Sequence, residues 1–182
     1  KAALERHLAD AVGGFTYVYG LPGQGKTATI FSIVRELRER ARAPQFDFVH
    51  INCMALDAAR NVYTHLARHL LPDLSANSSA QRCCDALKEH FSSWAPRCRH
   101  VVLLDEVDFL AAASQAVLYD MLDWPTTNER CCLLVIAIAN DLALNERLNS
   151  RIQSRMRTKH LRFSPYTRAQ LEVGVYVCVC VC

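Results

Sequence analysis

Two rhythms of apolar residues alternate along this chain. The first is a set of short clusters at 15–19, 46–52, 101–104 and 131–139, the last two unbroken, with a weaker one at 160–163. They are rich in β-branched and aromatic residues and read as strands. The second rhythm spaces apolar residues three or four apart. Leu4, Leu8 and Val12 form such a stripe over 2–12, closed by Gly13 and Gly14. Ile30, Ile33, Val34 and Leu37 form another over 28–42, and Val62, Leu66 and Leu70 a third over 57–70. Further helices are expected at 80–94, 114–122 and 149–156. This spacing gathers apolar side chains on one face of a helix.

Residues 101–104 and 131–139 lack the in–out alternation of a strand with one wet face. Strands covered on both sides are apolar throughout, so these two predict a parallel sheet. Strands alternating with helices then predict a doubly wound α/β fold.

Composition narrows the class further. With 51% hydrophobic and 21% charged residues over 182 positions, the chain has the make-up of one globular domain with its own core. No apolar run approaches the roughly 20 residues of a membrane-spanning helix. Residues 1–7 read as a helix already under way, without signal peptide or initiator methionine, as expected of a piece of a longer chain. A net charge of +3 permits nucleic-acid contact without arguing for it. The charged stretch 35–40 reads either as a basic patch or as a solvated face; pairs Arg35–Glu39 and Glu36–Arg40 at i,i+4 favour the latter.

The nine cysteines suggest disulfides or zinc, but their spacing supports neither. Cys83-Cys84 and Cys131-Cys132 are adjacent pairs, Cys53 and Cys98 stand alone, and no C-x-x-C occurs. A reducing compartment, cytosol or nucleus, fits best. His65 and His69 have metal-ligand spacing but no third ligand in view, so these and His90 read as surface histidines. From residue 173 valine and cysteine alternate as a GT dinucleotide repeat would encode them. The domain is therefore expected to span 1–172, with 173–182 a tail without function.

The chemistry concentrates in the turn Gly20-Leu21-Pro22-Gly23-Gln24-Gly25-Lys26-Thr27, followed by Ala28. It has the pattern G-x-x-x-x-G-K-T between a strand and a helix, the setting of a phosphate-binding loop. Glycines let backbone N–H groups converge on phosphate, and the helix N-terminus adds positive charge there. Lys26 is placed for the β- and γ-phosphates of a nucleotide, and the Thr27 hydroxyl for Mg²⁺. Strand 101–104 runs into Asp105 and Glu106, at the carboxyl end where ligands of such sheets bind. Asp105 is a second candidate for holding Mg²⁺, Glu106 for polarising an attacking water, and Asn140, at the end of 131–139, for orienting it.

At these residues the chain resembles the AAA+ ATPases, and more narrowly the origin recognition complex subunit 1 family of replication initiators and helicase loaders. The resemblance is carried by Gly25-Lys26-Thr27-Ala28-Thr29, Phe48-Val49-His50-Ile51-Asn52, Asp123-Trp124-Pro125-Thr126 and Ala137-Ile138-Ala139-Asn140. Ser150-Arg151-Ile152-Gln153-Ser154-Arg155 and Arg162-Phe163-Ser164-Pro165-Tyr166-Thr167 complete it. It implies a P-loop NTPase core of the AAA+ type, with a five-stranded parallel sheet in the order 5-1-4-3-2 and helices on both faces. It implies ATP and Mg²⁺ at residues 20–28 and Asp105. It also implies sister origin recognition complex subunits and helicase-loading factors as partners, origin DNA in the full complex, and the nucleus. An arginine acting in trans on a neighbour's site is implied at Arg155 or Arg151.

Arg157 departs from the glycine the family usually has there. The family's helical lid and winged-helix domain would follow residue 172. The expectation is thus an ATP-dependent switch that hydrolyses ATP in an assembled complex and weakly alone. The alternatives are a non-hydrolysing ATP-binding assembly module and a clamp-loader-like ATPase.

Overall fold

The computed structural model describes residues 1–10, 12–40, 45–92, 99–127, 132–156 and 160–165. The expectations for Cys98, Cys131, Arg157, Tyr166, Thr167, the boundary at 172 and the 173–182 tail lie outside them. The chain forms five strands: β1 Gly14–Tyr19, β2 Asp47–Asn52, β3 His100–Asp105, β4 Leu133–Ala139 and β5 His160–Arg162. All pairings are parallel, and the order is β2-β3-β4-β1-β5, the expected order in reverse. The helices are α1 Ala2–Asp10, α2 Lys26–Glu39, α3 Asn61–Leu70, α4 Ala80–Ser92, α5 Val107–Ala113, α6 Gln115–Thr127, α7 Leu144–Arg147 and α8 Ser150–Met156.

The two-residue period of the strands divides the core. Val101, Leu103, Leu134, Ile136, Ile138 and Val18 face α1 and α2, meeting Leu4, Leu8, Ile30, Val34 and Leu37. Val102, Leu104, Val135, Ala137, Phe15 and Tyr17 face the larger layer of α3, α4, α5, α6 and α8. That is why β3 is apolar from Val101 to Leu104 and β4 throughout: each has two dry faces. On the surface, Glu36 pairs with Arg40 as expected, and Glu5 and Lys1 extend the pairing from α1 to α2.

Several expected boundaries are corrected. Helix α1 stops at Asp10, so Val12 does not join the Leu4–Leu8 stripe and is 48% exposed; His7 is buried instead, with Nδ1 3.0 Å from the Val12 carbonyl. Residues 57–60 form bends and turns, so the third helix begins only at Asn61. Helix α6 runs through Asp123-Trp124-Pro125-Thr126 instead of ending at Leu122. Pro125 removes a ladder donor only near the helix end, while Trp124 is anchored between Tyr63 and Phe91 at 5.8 and 5.5 Å. Helices α5 and α7 were not expected from the pattern.

Candidate nucleotide site

The site is built at the carboxyl ends of β1, β3 and β4. Because β4 lies between β3 and β1, its last turn falls between Asp105 and the glycine loop. The loop's own backbone explains its glycines. Gly23 and Gly25 have φ of 77° and 74°, in the left-handed region that other residues avoid. At Gly20 a Cβ would stand 2.7 Å from the Phe163 carbonyl and 2.3 Å from Gln24 Oε1, so β5 and the loop close only over glycine.

Helix α2 starts two residues earlier than its apolar spacing suggested, which places Lys26 and Thr27 in its first turn. Lys26 is 5% exposed and its ammonium donates to the Gly20 and Leu21 carbonyls at 2.9 Å and to Asn140 Oδ1 at 2.7 Å. Burial lowers its pKa, and the fields of Asp105, Asp108 and Glu106 pull it back. The Thr27 hydroxyl donates to Asp105 Oδ2 at 2.8 Å. The same acids reach Cys53, whose thiol is pushed up to about 12, first by burial and then by their negative field.

Glu106 does not end the strand as expected. It has φ 55° and ψ 47° and begins α5, and among the described residues it alone has a positive φ without being glycine. Its N–H donates to Asp105 Oδ1 at 3.0 Å. A non-glycine residue held there costs on the order of 1–3 kcal/mol and points from strain to function.

The sequence reading brought Lys26, Thr27, Asp105 and Asn140 together, and so does the fold. Gln24 is buried, with Oε1 turned inward beside Gly20, while Pro22, Gly23 and Ala28 are exposed. The reading missed Asp108. Its carboxylate accepts the backbone N–H of Asn140 at 2.8 Å and of Asp141 at 3.1 Å, tying α5 to the end of β4. The signal was present: Asp108 lies one helical turn past Asp105, at the start of an apolar helix.

The two candidate arginines differ. Arg155 donates to Asp123 Oδ1 through Nε and Nη2 at 3.1 and 2.5 Å, and its guanidinium covers the Tyr119 ring at 4.4 Å. Arg151 is exposed on the same helix. Among the described residues neither has a hydrogen bond to Lys26 or Asp105. His69 Nδ1 lies 2.9 Å from the His65 carbonyl, and no group of three metal-ligating side chains occurs among the described residues.

Comparison with known proteins adds to this geometry. The AAA domain family matches residues 10–148. Origin recognition complex subunit 1 of Homo sapiens is 35% identical over 174 residues, covering 93% of this chain and 20% of that protein. The Drosophila melanogaster subunit 1 is 37% identical over 176 residues, covering 94% of this chain and 19% of that protein. The chain thus spans about a fifth of these relatives' length. Among solved structures, a chain of the Drosophila ORC bound to DNA superposes with a TM-score of 0.79 at 35% identity, covering 94% of this chain and 41% of that one.

Proposed function

This chain belongs to the AAA domain family, and from that premise and its likeness to origin recognition complex subunits 1 we propose that it is the ATP-binding switch of a replication initiator. The observation that carries the reading is the convergence of Lys26 with Asn140 and of Thr27 with Asp105 at one end of the sheet. In it Lys26 exchanges the Gly20 and Leu21 carbonyls for oxygens of the β- and γ-phosphates, and the N–H groups of 23–27 cradle them. The all-oxygen pair of the Thr27 hydroxyl and Asp105 carboxylate suits Mg²⁺, which neutralises phosphate charge when bound. Glu106 takes a proton from the attacking water, and Asn140 orients that water.

A complete site needs an arginine from a neighbouring subunit. Such a group is worth roughly 10³–10⁵ in rate in related phosphoryl transfers, so the isolated chain binds ATP and turns it over slowly. Arg151, exposed and without the carboxylate that holds Arg155, is the residue this chain offers to a neighbour's site. The assembly consists of sister origin recognition complex subunits and helicase-loading factors on origin DNA in the nucleus.

The test is ATP affinity by calorimetry. Lys26→Ala removes a charge-assisted phosphate contact and should weaken binding by about 2–4 kcal/mol. Equal affinity of variant and wild type refutes the reading. Glu106→Gln should bind ATP normally and depress hydrolysis in the assembled complex.

A further inference from the structure

One side chain beside this site has no part in the reading above. His50 lies on the edge strand β2, diagonal to Asp105 across the β2–β3 pair. Its Nε2 stands 3.7 Å from Asp105 Oδ2, the same oxygen that accepts the Thr27 hydroxyl at 2.8 Å. The ring is fixed in this direction. Phe31 of α2 packs edge-on against it at 5.0 Å and 82°, and edge-on against Phe48 at 5.8 Å and 79°. One third of the His50 side chain stays exposed.

We infer that His50 is a third donor of the divalent-cation site formed with Thr27 and Asp105, and that it biases the site from Mg²⁺ towards Mn²⁺ and Co²⁺. The inference rests on the nucleotide-binding reading and adds the identity of the ion. Two donors each about 2.1 Å from one ion lie roughly 3–4 Å apart, and the separations of 3.7 and 2.8 Å fall in or beside that span. Mg²⁺ is a hard ion that takes oxygen and gives up water reluctantly. Imidazole nitrogen favours the later first-row ions, whose affinity rises from Mn²⁺ to Co²⁺. A site of two oxygens and one nitrogen therefore discriminates differently from a site of oxygens alone.

The experiment measures ATP affinity of the full chain by calorimetry with Mg²⁺, Mn²⁺ or Co²⁺, for wild type and His50→Gln. Electron spin-echo spectra of the Mn²⁺·ATP complex report nitrogen bound to the metal. Wild type should prefer Mn²⁺ over Mg²⁺ by about tenfold more than His50→Gln does. Its spectra should show imidazole-nitrogen modulation that the variant lacks. The wild-type spectrum needs no variant, so a misfolded His50→Gln leaves the test intact. Tight ATP binding with no nitrogen coupling overturns this inference alone. No ATP binding with any ion overturns it together with the nucleotide reading.

Discussion

The two ends of the same sheet bury polar groups in opposite ways. At the carboxyl end Lys26 is 5% exposed and remains among three carboxylates, two of which lie in direct hydrogen bonds with their neighbours. At the amino end His100, on β3, is 6% exposed and meets His90 of α4 Nε2 to Nε2 at 3.2 Å. Its Nδ1 lies 3.1 Å from Asp47 Oδ2, a close contact outside hydrogen-bond geometry. Burial lowers the pKa of both histidines, and His90 lowers that of His100 further, against the pull of Asp47. One end keeps its charges because opposite charges and dipoles surround them. At the other, burial disfavours the charged form of both imidazoles, and Asp47, the carboxylate beside His100, is itself largely exposed. Ion binding belongs at the first kind of end, and packing at the second.

The largest expected effect tests whether the carboxyl end holds itself together. Asp108→Ala leaves the N–H groups of Asn140 and Asp141 without their carboxylate. Two partly buried, charge-assisted bonds should make the loss about 2–4 kcal/mol in urea unfolding. Asp108→Asn, with one oxygen where there were two, should fall between. A change below about 0.5 kcal/mol would mean that α5 and β4 are joined by packing alone.

A smaller effect tests the amino end. A histidine whose folded pKa lies below its unfolded value makes the unfolded state bind more protons in the interval between them. Stability is therefore full above about pH 7 and is lost as pH falls through the unfolded value, roughly 6.5, towards the lowered folded values. Melting temperature should drop from pH 7.5 to 5.5, and His90→Gln should flatten that dependence. An unchanged slope in the variant would place the acid sensitivity elsewhere.

The same contrast governs what the sequence made legible. Phosphate-loop spacing, apolar strands and acids at a strand end are local patterns, and Lys26, Thr27, Asp105 and Asn140 met as expected. The pairing of His90 with His100 is not local. It depends on α4 laying its last turn against the start of β3, so His90 read as a surface residue. Helix α5 was missed because β3 runs into it without glycine or proline, the turn being made by Glu106 in a conformation its residue type does not announce. Helix α6 outran its expected end at Leu122, since Trp124 packs between Tyr63 and Phe91 and Pro125 falls only in the last turn.

The smallest expected effect separates function from stability at the carboxyl end. Glu106 holds φ 55° and ψ 47° where glycine would sit without steric conflict. Glu106→Gly relieves that conflict but enlarges the freedom of the unfolded chain, and the two effects oppose. Relief should prevail, because left-handed backbone disfavours a side chain by about 1–2 kcal/mol whereas glycine's entropic cost is nearer 0.5–1 kcal/mol. The variant should therefore be more stable by a few tenths to about 1 kcal/mol while losing hydrolysis in the assembled complex. Denaturant midpoints of wild type, Glu106→Gly and Glu106→Gln measure it. Glu106→Gln keeps the strained backbone, so it should gain none of this stability and still lose turnover. If both variants instead match wild type in stability, the turn at Glu106 stores no strain, and its conformation is set freely by the start of α5.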